Sequence, residues 1–254
     1  MKIAVRKKKI MGAKKPARAE PVYPQRPGLK FERRAGHPRT IVGGVDEVGR
    51  GCLAGPVVAG ALVLPEVVDF ARDPWLKDVA DSKLVSAEDR ERLVPRIEAW
   101  AAGWAIGVAS VEEIDRLNIY HASHLAMERA VEGIRHARSA ELVHYLVDGN
   151  RLPRALEGRA TAVVKGDLQC LSVAAASILA KVFRDRLMRE WDARHPEFGF
   201  AAHKGYATPV HRAAILARGI CEIHRRSFAP VAEALARGPS PLGVLAEREG
   251  ESPS

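Results

Sequence analysis

Three apolar runs in this chain each end at an acidic residue, and that pattern constrains the fold more than any other feature. Ile41, Val42 and Val45 lead into Asp46-Glu47; residues 142–147 lead into Asp148-Gly149-Asn150; residues 160–164 lead into Lys165-Gly166-Asp167. Short apolar runs bounded by turn residues read as strands. In an α/β sheet, ligands sit outside the carboxyl ends of the strands. Asp46, Glu47, Asp148 and Asp167 can therefore converge at one edge. Adjacent carboxylates cost free energy unless a cation offsets them. Four oxygen-bearing acids with no soft ligand suit a hard divalent ion, Mg²⁺ or Mn²⁺. Two such ions about 3.5–4 Å apart hold the attacking and leaving oxygens of an in-line phosphoryl displacement. Any one of these acids, taken alone, reads as a loop cap or a solvated carboxylate. An acidic, glycine-rich hairpin turn is the plain alternative for residues 44–51.

The remaining pattern completes an α/β plan. Residues 57–64 are continuously apolar, as a strand buried on both faces would be. Residues 104–109 are a third short strand. Ser86-Ala87-Glu88-Asp89 opens a helix through about Trp100, which Pro95 should interrupt or kink. Ser110 caps a brief helix, and Asn118 caps a longer one with Ile119, Ala122, Ala126, Ala130 and Ile134 on one face. Residues 171–191 form a long helix whose Ala174-Ala175-Ala176 face permits close approach. Thr208, Pro209 and Gly219 bracket another helix with an N-cap, a proline at N1 and a C′ glycine. Three strands, helices, two strands, then helices predict a mixed five-stranded sheet flanked by helices, with a helical C-terminal extension. One unit over 41–237 is expected, followed by a flexible tail over 238–254.

The net charge of +9 is more than accounted for by residues 1–40, rich in Lys, Arg and Pro. This stretch reads as a disordered basic arm that adds non-specific affinity for nucleic acid, or else as a solvated tail. The body is close to neutral and must cluster charge locally to meet phosphate. Cys52, Cys170 and Cys221 are odd in number and lack a CxxC pair, which argues against a disulfide framework and fits a reducing cytoplasm. They read as packing residues, with Cys52 close enough to the acids to be sensitive to alkylation. No apolar run approaches the ~18 residues of a membrane span. No membrane association and a monomeric state are expected. His121 and His124 are three apart on a helix but lack a third ligand.

Six ordered segments carry a resemblance to a known family: Gly44-Val45-Asp46-Glu47-Val48-Gly49-Arg50-Gly51, Asp81-Ser82-Lys83, Val147-Asp148-Gly149-Asn150, Lys165-Gly166-Asp167, the run 174–185, and His203-Lys204-Gly205-Tyr206. Together they resemble bacterial ribonuclease HII, the type 2 ribonuclease H, from about Ile41 to Val231. The resemblance implies a ribonuclease H-like fold and metal-dependent cleavage of RNA within RNA–DNA hybrids, including single ribonucleotides embedded in duplex DNA. It implies that Asp46, Glu47, Asp148 and Asp167 are the active-site acids. It implies that Gly49, Arg50 and Gly51 read the 2′-hydroxyl, and that Tyr206 helps sense the RNA-to-DNA junction.

The residues themselves are consistent with these roles. A 2′-hydroxyl is what separates RNA from DNA at a site, and glycines expose backbone to it. Phosphate contacts are expected from Lys83, Lys165, Lys181, Arg184, Lys204 and the His224-Arg225-Arg226 run, although each alone reads as a solvated charge. Leu84 stands where the family usually has a second lysine, which removes one phosphate contact. Cys52 after Gly51 and Leu168-Gln169-Cys170 after Asp167 also depart from the usual pattern. Two other classes compete: another ribonuclease H-like DNA nuclease of resolvase or integrase type, and a non-catalytic nucleic-acid-binding protein. A DNA nuclease has no use for a 2′-hydroxyl reader, and a pure binding protein has no use for four acids that repel phosphate.

Overall fold

A computed structural model describes residues 26–134 and 143–237 of the 254. The expected C-terminal tail and the first 25 residues of the expected arm lie outside them. Five strands form one sheet: β1 (Ile41–Val48), β2 (Val57–Val63), β3 (Gly103–Ala109), β4 (Val143–Asp148) and β5 (Ala160–Val163), in the order β3-β2-β1-β4-β5. β1–β2 and β2–β3 are antiparallel; β1–β4 and β4–β5 are parallel. Each expected strand is present with ends shifted by two residues at most. Parallel β1–β4 pairing requires a crossover, supplied by α3 (Val111–Leu117) and α4 (Ile119–Gly133).

Side chains alternate along each strand, so the sheet has two buried faces. Val45, Tyr145 and Val147 pack against Ala122, Ala126, Met127 and Ala130 of α4. Val42, Leu146 and Val163 face the other way, onto Val173 of α5 (Leu171–Arg194). On that face Leu62 and Leu64 also meet α5 and α2 (Ala87–Trp100). α5 lies almost on the backbone of the sheet. A Cβ at Gly44 would fall 2.2 Å from Ser172 and 2.3 Å from Val173 backbone atoms, and one at Gly60 would fall 2.4 Å from the Ala176 carbonyl. The alanine run of α5 and these strand glycines are two halves of one contact. Asp46 alternates onto this face, and α5 therefore runs beside it.

Two expectations need correction. α2 continues through Pro95, so of the interruption or kink expected there the interruption does not occur. Leu93, Val94 and Ile97 are buried, and Glu91 is bound by Arg186 and Arg189 of α5. Tertiary contacts thus carry the helix past the missing N–H. The basic arm was expected to reach residue 40, but residues 26–40 are part of the fold. α1 (Lys30–Arg34) places Glu32 in the interior, where its Oε1 accepts from the Ser172 N–H and Oγ–H, both at 2.9 Å. Cys170, the N-cap of α5, makes no side-chain cap bond. A distant carboxylate instead satisfies the first turn and meets the positive end of the helix dipole.

The helical extension comprises α6 (Phe200–His203), α7 (Pro209–Arg218) and α8 (Ala229–Arg237). Thr208 caps α7 by accepting from the His211 N–H, and Gly219 ends it, as the sequence predicts. Among the described residues no helix is long and apolar enough to cross a membrane.

Candidate active site

Register sets the acids. Val45 of β1 lies opposite Val147 of β4, so Asp46 and Asp148 follow side by side at the carboxyl ends of two parallel strands. The Gly166 N–H donates to Asp148 Oδ1 at 2.6 Å. That bond anchors the short 3-10 turn Gly166–Leu168, which carries Asp167. Glu47 stays in the ladder opposite Ala59, so β1 keeps its pairing with β2 past Asp46. Its own N–H donates to Asp46 Oδ1 at 2.8 Å, and Arg50 Nη1 donates to its Oε1 at 3.3 Å.

The electrostatics are those of crowded like charges. Burial, then the charges of Glu47 and Asp148, push the Asp46 carboxyl well above its usual range, against a hydrogen bond from Ser177. Burial raises Glu47 as well, opposed by Arg50 and reinforced by Asp148. Asp167 is raised by burial, then by Asp81 and Asp148, with Lys83 opposing. For Lys83 burial acts to lower the pKa, but Asp81, Asp167, Asp46 and Asp148 together outweigh it and the ammonium is favoured. Its Nζ lies 3.7 Å from Asp167 Oδ2. Lys83 and Arg50 thus face five acids, Asp81 included, and among the described residues no three of these acids bring their oxygens within 4.8 Å of one another. An all-oxygen, over-negative donor set fits hard divalent cations.

The glycine-bounded loop after β1 folds back against the C-terminal extension. Cys52 forms an isolated antiparallel bridge with Tyr206, and the Leu53 N–H donates to the Gly205 carbonyl at 2.8 Å. Tyr206 is therefore fixed beside Gly49, Arg50 and Gly51 and is 38% exposed. Lys181 Nζ stands 5.9 Å from its ring centroid. Gly49 has φ +96°, and a Cβ there would fall 2.3 Å from Arg184 Nε, so residue 49 is closed to a side chain on two counts.

The basic residues divide. Lys83, Lys165 and Arg50 are exposed; Lys83 reaches Asp167, Arg50 reaches Glu47, and Lys165 lies two residues before Asp167 in the chain. Lys181 is half-buried and paired with Asp185 at 2.7 Å, which also meets Arg90 at 3.6 Å. The Lys204 ammonium donates to the Ala201 carbonyl. Arg184 corrects the expectation of a phosphate contact. It is fully buried and donates to the carbonyls of Pro56 (3.0 Å), Lys204 (2.8 Å) and Ala54 (3.0 Å). His224 and Arg225 are buried too, which removes them from any phosphate surface. Cys52 is buried rather than poised for alkylation.

Ser177 is a site residue the sequence reading missed. Its hydroxyl lowers the Asp46 carboxyl's pKa and donates to the Ser82 hydroxyl at 2.8 Å, which ties Asp81-Ser82-Lys83 to the acids. A lone serine inside the alanine run was the available signal. Histidines hold the tyrosine segment. The Cys221 N–H donates to His224 Nδ1 at 3.0 Å, His224 Nε2 meets His211 Nε2 at 3.1 Å, and His211 Nδ1 meets the Tyr206 carbonyl at 2.9 Å. Those partners fix both tautomers: His224 donates from Nε2 and His211 from Nδ1. Burial pushes both rings down to about 4.

Separately, His195, Cys221 and Glu222 bring one ligand atom each within 4.8 Å of one another and could hold a divalent ion. His195 stands just past the end of α5, about 27 Å along the helix axis from Ser177 at 1.5 Å per residue. It bridges Glu222 (2.9 Å) and Glu197 (3.4 Å), and those bonds raise its pKa. This cluster is not part of the acidic centre.

Comparison with known proteins follows the same outline. The sequence profile of the family Ribonuclease HII matches residues 43–231. The chain is 49% identical over 232 residues to Ribonuclease HII of Myxococcus xanthus, covering 89% of this chain and 75% of that protein. It is 50% identical over 228 residues to Ribonuclease HII 2 of Methylibium petroleiphilum, covering 89% and 98%. The crystal structure of ribonuclease H2 from Pyrococcus horikoshii superposes with a TM-score of 0.62 at 26% identity, covering 78% of this chain and 98% of that one.

Proposed function

The chain belongs to the ribonuclease HII family, and from that premise we propose that it is an endonuclease that cleaves the RNA strand of RNA–DNA hybrids and cuts on the 5′ side of ribonucleotides embedded in duplex DNA, leaving 3′-hydroxyl and 5′-phosphate ends. The observation that carries the reading is the placement of Asp46 and Asp148 on adjacent parallel strand ends, beside a loop bounded by glycines and braced on Tyr206.

Asp46, Glu47, Asp148 and Asp167 are the groups that would hold two divalent ions, Mn²⁺ or Mg²⁺. When bound, such ions neutralise the phosphodiester and supply a nucleophile at neutral pH. The protein does the positioning. The Gly166 and Glu47 N–H groups orient Asp148 and Asp46 through hydrogen bonds, and Ser177 favours the charged form of Asp46. Lys83 and Lys165 meet the flanking phosphates, with Arg50 at the rim and Lys181 and Lys204 giving lesser contacts because their charges are engaged internally. The 49–51 backbone reads the ribose hydroxyl, and the Tyr206 ring packs on the deoxyribose beyond it. We further propose that residues 41–237 with α1 act as a single cytoplasmic, monomeric catalytic unit, and that residues 1–25 add non-specific affinity for nucleic acid.

The reader loop and Tyr206 favour this activity over a resolvase- or integrase-type DNA nuclease. Tyr206→Ala tests that assignment. Misplacing a scissile phosphate by about 1 Å costs ~10²-fold in rate. The variant should lose about that much on a single embedded ribonucleotide, and less on a long RNA–DNA hybrid, where every position offers a 2′-hydroxyl. Equal losses on both substrates would make Tyr206 general scaffolding.

A further inference from the structure

Arg225 lies beneath the reader loop, on the side away from solvent. It is fully buried, and its three donor groups all go to loop carbonyls: Nη2 to Gly49 at 2.6 Å, Nη1 to Arg50 at 2.9 Å and Nε to Gly55 at 2.9 Å. Phe228 backs it, with the guanidinium carbon 5.1 Å from the ring centroid. Its own N–H donates to the Leu53 carbonyl at 2.8 Å, which locks residue 225 to the same loop. Burial lowers its pKa to about 10, which leaves it charged at neutral pH. Among the described residues it makes no ion pair, so its charge acts on those peptides.

The geometry of a trans peptide converts these bonds into a statement about the opposite face. In such a peptide the C=O and the N–H point in opposite directions. The Gly49 carbonyl shares its peptide with the Arg50 N–H, and the Arg50 carbonyl shares its peptide with the Gly51 N–H. Both carbonyls turn inward to Arg225, so both N–H groups turn outward. The outward side is open at Gly51, where an added Cβ would meet no atom within 4 Å. A charged donor on each carbonyl also polarises the peptide and strengthens the N–H as a donor.

We propose that Arg225 is a positioning residue for ribose selection: it holds the Gly49 and Arg50 carbonyls inward and so presents the Arg50 and Gly51 N–H groups to the 2′-oxygen of the substrate. This rests on the reading of residues 49–51 as the ribose sensor. It assigns the selectivity to a side chain that never touches nucleic acid.

The test is equilibrium binding in Ca²⁺ of two duplexes identical except for ribose or deoxyribose at one position. Wild type, Arg225→Gln and Arg225→Lys are compared. Wild type should prefer the ribose duplex by about tenfold, the scale of one or two hydrogen bonds. Arg225→Gln should bring that preference to within about twofold of unity, while all-DNA affinity moves little. If Arg225→Gln fails to fold, Arg225→Lys decides. A lysine keeps the charge but has no planar fork to span the carbonyls, so its preference should also fall. A variant that weakens both duplexes by one common factor, or keeps the full preference, overturns the proposal. Absence of any preference in wild type would instead overturn the reading of residues 49–51, and the proposal with it.

Discussion

The acidic end of the sheet and the layer beneath the 49–56 loop both bury charge, but they satisfy it in opposite ways. At the sheet end, Asp46, Glu47 and Asp167 are all driven above their ordinary pKa range by burial and by neighbouring carboxylates, with the Asp148 charge acting on all three. Beneath the loop, Arg184 and Arg225 each spend three donor groups on backbone carbonyls, and His224 and His211 continue the bonding to Tyr206. A buried charge whose hydrogen bonds are all made is scaffold. A cluster that crowds one sign of charge is where an ion and a substrate can still lower the free energy. In this molecule the scaffold shapes the loop that faces the centre.

The comparison predicts opposite responses to charge removal. Asp46→Asn or Asp148→Asn should lower cleavage by several orders of magnitude and leave thermal stability in the absence of divalent ions unchanged or higher. Removing one of several repelling carboxylates relieves repulsion, while the ions lose a ligand. A lowered melting temperature, or near-wild-type cleavage in saturating Mn²⁺, breaks the account of this region. Arg184→Met should do the reverse. It strips three buried carbonyls of their donors and should cost about 3–5 kcal/mol in urea melts. A neutral result would mean those bonds hold nothing.

Two smaller effects sharpen the contrast. His211 and His224 sit near 4 in the folded protein, against 6.5 for an unperturbed ring. The unfolded chain therefore takes up protons first, and their contribution is complete above pH 6.5 and drains away as pH falls toward 4. The raised carboxyls act with the opposite sign, so the histidine share is isolated as a difference. The melting gap between wild type and His224→Gln should be widest above pH 6.5 and narrow toward pH 4; a constant gap would show that the pair does not titrate. Deleting residues 1–25 removes eight Lys/Arg and one Glu. It should flatten the log–log salt dependence of binding and leave turnover by bound enzyme unchanged. An unchanged salt slope would show that this segment does not touch nucleic acid. Extending the deletion to residue 40 should also lower stability, because Glu32 caps α5.

The acidic region was legible in the sequence because its logic is local. An apolar run followed by an acid predicts both the strand and the side chain at its end, and β1, β4 and Asp167 follow that rule. The scaffold region was not legible. Arg225 and the Gly49 carbonyl are 176 residues apart, and a backbone carbonyl leaves no mark in a sequence. By default a lysine or arginine reads as surface, which misassigned Arg184 and Arg225. Glu32 was hidden for a related reason: a lone acid in a basic, proline-rich stretch looks like part of a tail until α5 supplies its partner. Pro95 shows the converse, a strong local signal overridden by the packing of Leu93, Val94 and Ile97.

The central claim is that the acids and the loop together make a nuclease that needs a ribose. It is tested most directly on a DNA duplex carrying one ribonucleotide, incubated with Mg²⁺ or Mn²⁺ beside the all-DNA duplex, with the product ends mapped. The account predicts a single cut on the 5′ side of the ribonucleotide, a 3′-hydroxyl and a 5′-phosphate at that cut, and an intact all-DNA control. Comparable cleavage of the all-DNA duplex, or no cleavage of the ribonucleotide duplex with either metal, would contradict it.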